Sequence, residues 1–464
     1  MPIYNSVTSR IRTGPHTRED AAVRSVLKNT GWTVFGQFVS AGVSFVETII
    51  LARSLSITDF GVLAMLTSAA ELVYGLLDFR AGEAVIKFIP EISASWGNRG
   101  SAVFIKLIVL LDATVSLVGF ATLLILGRLV LGWVSLHDVY FRPLIIISLG
   151  LAARGLVRSV GSYFRICGRF DRATLLGAIS LMGRLVLIIV VTVMVPTVAA
   201  LSWASFFANL LYMAVMGGFL VFALRRDGQK LRGSSIRMIR GIWRPLTAFL
   251  LSRNLEGTLR TLGTKFDTLL IAGLTSPAIA AIYKVSGRLA SSLLLFSDPL
   301  LVAIYPELSH LYAEGRAMEL RKLLRNMTFA LAAFAVVLIG GFSMAGPWIL
   351  GALTGPQYHS AYPVVMIMLC GSVVAMVFFW ARPLLLVHGH THALVLIGLA
   401  ALIVQLGGLY VLVPSLGAVG AGVAFALNYI VTVGLFLYLL VRSRPGKPLL
   451  ESQTGVAKPN EITI

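Results

Sequence analysis

Polar and charged side chains recur along one helical face in four apolar segments of the chain. A helix advances about 100° per residue, so side chains three and four positions apart lie above one another. The aligned residues are, segment by segment, Thr33, Gln37, Ser40, Ser44 and Glu47; Thr67, Glu71, Tyr74 and Asp78; Arg253, Glu256, Arg260, Thr264 and Asp267; Lys284, Arg288, Ser291 and Asp298. A charge at the bilayer centre costs about 2.5–3.5 kcal/mol. The pattern therefore favours a water-filled cavity lined by these helices.

Each set of aligned polar residues forms a polar stripe along its helix. The cations of these stripes predict a binding site for an anion. Arginine guanidinium groups match phosphate and carboxylate oxygens well, so a basic cluster suits an anionic substrate head. The predicted substrate-binding residues of the cavity are Arg253, Arg260, Lys284, Arg288, Tyr74 and Gln37.

The carboxylates of the stripes predict a second kind of chemistry. Acids in an apolar setting can exchange protons or hold Na⁺. The candidates for ion coupling are Glu47, Glu71, Asp78, Glu256 and Asp267. H⁺ or Na⁺ is thus the coupling ion that the sequence allows, and no other cofactor and no bound metal is predicted.

A simpler interpretation of the same charges is that they neutralise one another. Arg253 with Glu256, and Glu256 with Arg260, have the i,i+3 and i,i+4 spacings of local ion pairs. The acids of the first half could likewise pair with Arg80 or Arg53. Both interpretations stay open at the level of sequence.

The chain also contains two short internal sequence repeats. Residues 45–52 return as residues 265–272, and residues 89–93 return as residues 305–309, in the same order. Glu47 and Asp267 occupy equivalent places in the first pair. The two copies of each repeat are separated by nearly the same number of residues. This indicates an ancient duplication, as in many transporters built from structural repeats.

Composition gives the elements that must carry these residues. The chain of 464 residues is 57% hydrophobic and 13% charged, and its mean hydropathy is +0.87. These values predict an all-α polytopic membrane protein. Apolar stretches of about 20 residues predict twelve spans, at 31–53, 60–86, 103–127, 142–164, 173–195, 199–223, 246–274, 279–305, 327–351, 361–386, 392–413 and 416–440.

The spans group into two predicted lobes of six helices around a central cavity. The predicted segments are a cytoplasmic N-terminal segment at 1–29, an N-terminal lobe at 30–224, a cytoplasmic linker at 225–245, a C-terminal lobe at 246–441 and a flexible cytoplasmic tail at 442–464. Only Arg53, Arg128 and Arg142 of the 39 basic residues fall in predicted outward loops. Both termini are therefore expected in the cytoplasm.

The same distribution of charge argues against several other functions. The net charge of +19 lies in short loops between apolar spans, so it reflects topology and anionic headgroups rather than nucleic-acid binding. His388, His390 and His392 form a polar turn without a nearby carboxylate or cysteine, which is a weak metal signal. No nucleotide-binding loop or Ser-His-Asp set is present, so we expect a protein that is not an enzyme.

Several short motifs resemble a known family. They are Asn29-Thr-Gly-Trp32, Ala52-Arg-Ser-Leu-Ser-Ile-Thr-Asp-Phe-Gly61, Asp78-Phe-Arg-Ala-Gly82, Cys167-Gly-Arg-Phe170, Asp267-Thr-Leu-Leu-Ile-Ala-Gly273, Tyr283 and Tyr305-Pro-Glu-Leu-Ser309. In order and spacing they resemble the polysaccharide biosynthesis flippases of the O-antigen, Wzx type. The superfamily of these proteins also includes multidrug and toxic compound extrusion antiporters and the lipid II flippase. The resemblance covers most of residues 24–445.

This resemblance implies a transporter that works by alternating access. Its substrate would be a polyprenyl-pyrophosphate-linked oligosaccharide, moved from the cytoplasmic to the periplasmic leaflet of the bacterial inner membrane for lipopolysaccharide or exopolysaccharide assembly. Membrane lipids, and a polysaccharide polymerase and glycosyltransferases, are the implied partners. Family cavities are often strongly cationic, whereas the stripes here mix acids with bases.

Two other functions remain as alternatives. A cation-coupled multidrug exporter would use the acids and would retain activity without the basic cluster. A non-transporting membrane scaffold of polysaccharide assembly is the second alternative. A membrane glycosyltransferase or polymerase would need a long periplasmic loop with catalytic acids, and the predicted topology contains none.

Overall fold

The described part of the protein is helical throughout. The structure is a computed structural model, and it describes residues 15–134, 136–226 and 241–442. Every regular element in those ranges is a helix or a short helical turn. The predicted N-terminal segment before residue 15, most of the predicted linker and the predicted tail after residue 442 lie outside the described residues. The prediction of an all-α fold is confirmed.

Nine helices in the described ranges are long and apolar enough to cross a membrane. They are Asn29–Ser54, Ile57–Gly97, Gly100–Trp133, Asp138–Ile166, Phe170–Met194, Val198–Phe222, Ala317–Thr354, Pro356–Val387 and His392–Arg442. The last has 51 residues, which is enough for two crossings, and its backbone kinks at Gly417 (φ 56°). Together they account for every predicted span except the seventh and the eighth.

The seventh and eighth predicted spans are missing from that set because neither is a continuous apolar helix. The seventh consists of Trp243–Thr261, a π-helical turn at Leu262–Phe266, and Asp267–Leu274. The eighth is interrupted at Leu293, between Pro277–Ser292 and Leu294–Ala313. In membrane proteins, such interruptions are tolerated where protein or water satisfies the backbone.

Backbone contacts divide the chain into two compact units. The first contains the described residues up to Val285 together with Leu350–Ser360. Its helices are Pro15–Ser54, Ile57–Leu76, Ala81–Trp133, Phe141–Gly155, Val160–Ile166, Phe170–Met194, Val198–Arg226, Trp243–Thr261 and Asp267–Leu274, followed by the first part of Pro277–Ser292. The residues 350–360 join it through Gln357, whose Nε2 donates to the carbonyl of Ala52 at 2.7 Å.

The second unit contains Ser286–Ile349 and the described residues from Ala361 onward. Its helices are the end of Pro277–Ser292, then Leu294–Ala313, most of Ala317–Thr354, Tyr362–Val377, Ala381–Val387 and Thr391–Arg442. These boundaries do not coincide with the predicted lobes at 30–224 and 246–441, which stay a prediction.

Three further predicted spans, the second, fourth and tenth, are not continuous helices, which corrects the prediction. Breaks occur at 77–80, 156–159 and 378–380. The first has a local cause: the backbone N–H of Arg80 donates to Oδ1 of Asp78 at 2.9 Å, and Arg80 adopts a left-handed conformation at φ 49°. A side chain that captures a backbone donor in this way competes with the helical ladder.

Small residues allow helices of the second unit to approach closely. Tyr362–Val377 packs against Thr391–Arg442, and a Cβ added at Gly371 would lie 2.6 Å from the Cα of Ala426. Lipid is as apolar as the side chains, so close van der Waals contact rather than hydrophobic burial stabilises such pairs. Gly371 is therefore a packing residue of this unit.

We expect Gly371→Ala to destabilise the protein by about 1–3 kcal/mol, because the added methyl group must push two helices apart. The measurement is the thermal unfolding midpoint of the purified protein in detergent. Gly398→Ala is the matched control, since a Cβ at Gly398 meets no atom within 4 Å. Equal midpoints for the two variants would contradict the packing role of Gly371.

Candidate functional site

A cluster of four charges joins Trp243–Thr261 to the start of Ala81–Trp133 in the first unit. The Arg80 guanidinium lies 3.1 Å from Glu83 and 4.0 Å from Glu256. Arg253 lies 3.4 Å from Glu83 and pairs with Glu256 through the predicted i,i+3 contact. Two cations thus meet two carboxylates, and the cluster is neutral.

Gly257 makes room for this cluster. It is buried, and a Cβ in its place would lie 3.1 Å from Nε of Arg80. The alternative pair of Glu256 with Arg260 does not form in the described part of the chain, because Glu256 is engaged by Arg253 and Arg80. The neutralised interpretation of these charges therefore holds locally for Arg253 and Glu256.

A second set of contacts joins the breaks at 77–80 and 156–159. Asp78 receives the Arg158 guanidinium at 3.0 Å, and the carboxamide of Asn254 donates to the carbonyls of Leu76 and Asp78 at 2.9 and 3.1 Å. Asp112 is buried in the helix Ala81–Trp133, and its Oδ2 accepts the backbone N–H of Ser159 at 3.1 Å. Side chains thus satisfy backbone groups that the interrupted helices leave without helical partners.

Glu71 forms the third contact, with Lys265. Its Oε2 lies 2.5 Å from Nζ of Lys265, and both side chains are about one-third exposed. Lys265 lies in the π-helical turn Leu262–Phe266, which packs against Ile57–Leu76. The helices meet closely here, since a Cβ at Gly75 would lie 2.4 Å from the methyl group of Thr261.

Glu47 and Asp267 occupy equivalent positions in the first sequence repeat but have different partners. Glu47 lies 2.6 Å from the guanidinium of Arg184, and its side chain is 14% exposed. Asp267 is 8% exposed and accepts hydrogen bonds from the Tyr283 hydroxyl at 2.8 Å and from the backbone N–H of Thr268 at 2.5 Å. Both acids are partnered inside the first unit, one by a cation and the other mainly by neutral donors.

Asp267 does not share the exposed face of Arg253 and Arg260, which corrects the predicted stripe. The π-helical turn at Leu262–Phe266 separates them. Such a turn adds about one residue to the helical repeat, so every side chain beyond it is rotated relative to a regular helix. A projection at 100° per residue therefore places Asp267 on the wrong face.

Tyr74 and Gln37 also differ from their predicted neighbours. Tyr74 is 3% exposed, and its hydroxyl donates to the carbonyl of Ser148 at 2.9 Å, so it holds Ile57–Leu76 against Phe141–Gly155. Gln37 is exposed on Pro15–Ser54. The structure does not bring Tyr74 to an open surface, and substrate binding by either residue stays a prediction.

The remaining predicted cations are placed as follows. Arg260 is exposed and makes no ion pair within the described part of the chain. The charge of Lys284 acts on both Glu71 and Asp267. Arg288 lies four residues after Lys284 on Pro277–Ser292, in the part of the helix that belongs to the second unit.

Several partner residues were not among the predicted site residues, including Lys265, Arg184, Arg158, Asp112, Arg80, Glu83 and Asn254. A charge inside an apolar span was the available signal for Lys265, Arg184 and Asp112. In the structure, no group of three or more His, Cys, Asp or Glu residues that could hold a metal ion occurs among the described residues.

The sequence matches the model of a protein family described as polysaccharide biosynthesis protein, over residues 26–312. That range covers more than half of the chain. No curated protein matches the sequence.

Solved structures of similar fold are membrane transporters. An inward-facing multidrug resistance transporter of the MATE family and MOP superfamily is 13% identical, with 86% of this chain and 93% of that chain covered and a TM-score of 0.65. The lipid II flippase MurJ in an inward closed conformation is 11% identical, with 88% and 87% covered and a TM-score of 0.65. A MOP superfamily transporter from Pyrococcus furiosus, described as having a binding pocket of reversed polarity, is 13% identical, with 90% and 95% covered and a TM-score of 0.55.

We expect Asp112→Leu to lower the free energy of unfolding by about 1–3 kcal/mol, because the N–H of Ser159 would lose its acceptor in a buried place. Asp112→Asn keeps a carbonyl acceptor and should lose less. Thermal unfolding of both variants in detergent measures the difference. The role assigned to Asp112 is wrong if the leucine variant is as stable as the asparagine variant.

Proposed function

Because the chain belongs to the polysaccharide biosynthesis protein family, we propose that it is a flippase for a polyprenyl-pyrophosphate-linked oligosaccharide. The family match, and the similarity in fold to solved membrane transporters, support the coarser part of this proposal, a multi-pass membrane transporter. The proposal adds the substrate and the direction, from the cytoplasmic to the periplasmic leaflet by alternating access.

The exposed charged face of Trp243–Thr261 is the observation that carries the proposal. Arg260 is exposed, Arg253 is 39% exposed at its side chain, and Glu256 is 57% exposed. This helix belongs to the seventh predicted span, where exposed charges must face water or a polar ligand rather than lipid. A polar route for a charged head group along this helix accounts for them.

Arg260 is the cation in this set best placed to receive an anion. Arg253 is already held by Glu83 and Glu256, whereas Arg260 has no carboxylate partner among the described residues. Pyrophosphate offers oxygens that a guanidinium can contact in pairs. We propose that Arg260 contacts the pyrophosphate and that Lys284, in the same unit, contributes further positive charge. Arg288, in the second unit, stays a predicted substrate-binding residue.

The chemistry of the substrate explains why such a route is needed. The sugar and the pyrophosphate carry many hydrogen-bonding groups, and moving them through hydrocarbon without partners is very costly. The prenyl tail is apolar and can remain in the lipid. The proposed transporter therefore needs a polar path only for the head group, and the carboxylates near it are candidates for coupling to H⁺ or Na⁺.

We also propose a cellular location and partners for the protein. We infer a place in the bacterial inner membrane with both termini in the cytoplasm, in keeping with the distribution of basic residues. Membrane lipids, a polysaccharide polymerase and glycosyltransferases are the proposed partners, for lipopolysaccharide or exopolysaccharide assembly. The proposed activity is transport and involves no catalytic residue.

A cation-coupled multidrug exporter is the second candidate. Its specific support is the similarity to a multidrug resistance transporter, whose TM-score of 0.65 equals that of the lipid II flippase. Glu47, Glu71 and Asp267 would then serve proton or Na⁺ exchange, and the cations would be dispensable for transport.

Deletion of the gene distinguishes these candidates. A flippase predicts loss of surface polysaccharide and accumulation of lipid-linked oligosaccharide in the cytoplasmic leaflet, because synthesis continues while export stops. Surface polysaccharide is measured by gel and sugar analysis, and leaflet distribution by lectin binding to inverted and right-side-out vesicles. Normal polysaccharide with raised sensitivity to dyes and drugs would instead support the exporter.

Arg260→Gln tests the anion contact. Loss of a charged hydrogen bond of about 1.5–3 kcal/mol should weaken export by about tenfold or more, measured as surface polysaccharide in a complemented deletion strain. Arg316→Gln is the control, since Arg316 is an exposed cation that pairs with Glu314 and Glu319. Full export by a stable Arg260→Gln protein would contradict the assigned contact, and full export by a variant lacking all the predicted cations would favour a scaffold or an exporter.

A further inference from the structure

The pair of Glu71 and Lys265 combines two features that the pairs of Glu47 and Asp78 in the first unit do not combine: it is open, and its carboxylate has one partner. Glu47 is only 14% exposed where it meets Arg184. Asp78 and Arg158 are similarly open, at 32% each, but Asp78 also accepts the backbone N–H of Arg80. Glu71 and Lys265 are 35% and 34% exposed. In the described part of the chain, Lys265 is the single hydrogen-bonding partner found for the Glu71 carboxylate.

Lysine is suited to a contact that must be broken and remade. Its ammonium is a compact charge on a flexible stem with rotatable donors, whereas a guanidinium holds a carboxylate in a fixed planar geometry. Lys265 also lies in a π-helical turn, and such turns interrupt helices frequently at functional sites. The cation is therefore placed at an irregular position of the helix that carries Arg253 and Arg260.

The surroundings of Glu71 contain an excess of positive charge. Besides Lys265, the charges of Lys284, Arg184 and Arg154 act on this carboxylate. Two of these four cations also interact with other carboxylates, Arg184 with Glu47 and Lys284 with Asp267. An anion that replaced the carboxylate at Lys265 would therefore enter a positive environment. Glu71 occupies the place that such an anion would take.

Lys265 follows Arg260 by five residues, which is about 7.5 Å along a helix. Arg253 precedes Arg260 by seven residues, or about 10.5 Å. The three cations thus form a series along one helix, in which the first and last are neutralised by carboxylates and the middle one has no carboxylate partner among the described residues. Lys265 is the next cation along this helix after Arg260, and the π-helical turn rotates it to a different face.

We propose that Glu71 is an exchangeable counter-ion of Lys265: the phosphate head of the substrate displaces the carboxylate from Lys265, and the released carboxylate takes up a proton. This inference rests on the proposed function and concerns its coupling. The ammonium exchanges one oxygen anion for another. The freed carboxylate forms an O–H bond with a proton from hydronium ion or a buffer acid, whose own bond to that proton breaks, and no other covalent bond changes.

The exchange links anion binding to proton uptake. A carboxylate left beside a bound phosphate binds a proton more readily, because the like charge of the phosphate disfavours a second anion next to it. When the anion leaves, Glu71 releases its proton and pairs with Lys265 again. Binding and protonation favour each other through this one contact.

The test is titration calorimetry of the full-length protein in detergent with farnesyl pyrophosphate as the probe, in two buffers of different ionisation enthalpy. We expect wild type to take up more protons per bound anion than Glu71→Gln, by about one proton at most. Because the amide carries no charge to displace, Glu71→Gln should bind the probe about three- to tenfold tighter. Protonation of the probe itself is common to both proteins and cancels in the comparison.

Glu319→Gln is the matched control, because it removes one carboxylate from an exposed ion pair with Arg316. It should bind the probe as wild type does. Glu71→Asp keeps the acid but shortens it, so it should bind the probe more tightly and retain proton uptake. This second variant keeps the test decisive if Glu71→Gln unfolds, which thermal unfolding would reveal.

The outcomes separate this inference from the proposed function. Equal affinity and equal proton uptake for wild type and a folded Glu71→Gln would overturn the exchange while leaving an anion-binding transporter. Weaker binding by folded Glu71 variants would also overturn it, since Glu71 would then assist the anion. Failure of wild type to bind the probe at all would contradict both the proposed anion site and the exchange.

Discussion

Charge inside the predicted spans is the constraint on which the rest of this structure depends. A charged side chain in an apolar span needs a partner or water, and the first unit meets this need with contacts between helices far apart in sequence. Glu47 meets Arg184, Asp78 meets Arg158, and Lys265 meets Glu71. Each contact fixes two helices relative to each other, so the same charges that would be costly in lipid determine how the unit is assembled.

The irregular backbone follows from the same charges. Asp78 captures the N–H of Arg80 and ends one helix, while Asp112 accepts the N–H of Ser159 where another helix is interrupted. The side chain of Asn254 adds donors to two carbonyls beside the first break. Breaks of this kind persist in a membrane when side chains satisfy the freed groups. Polar residues here both interrupt the helices and stabilise the interruptions.

The balance of charges distinguishes the neutral ion pairs from Arg260, the cation proposed to receive an anion. The cluster of Arg80, Glu83, Arg253 and Glu256 is neutral as a whole. Its arginines can therefore bind an incoming anion only if the carboxylates move away from them. Arg260 carries a charge without such compensation among the described residues. A transporter of an anionic head group gains from this arrangement, because a site that held the anion too strongly would not release it on the other side.

The amino-acid sequence by itself determined that this is an all-α, multi-span membrane protein, because long apolar stretches and the placement of Lys and Arg are properties of local composition. It also indicated which spans carry charge, since charges stand out in an apolar stretch. It did not determine which charges meet. Tyr74 was expected in a polar stripe but is buried against Phe141–Gly155, and Asp267 was expected beside Arg260 but is buried behind the π-helical turn. Helical periodicity holds only while the helix is regular, and the choice of partner for Glu71, Glu47 and Asp78 depends on contacts between helices, which only the tertiary structure decided.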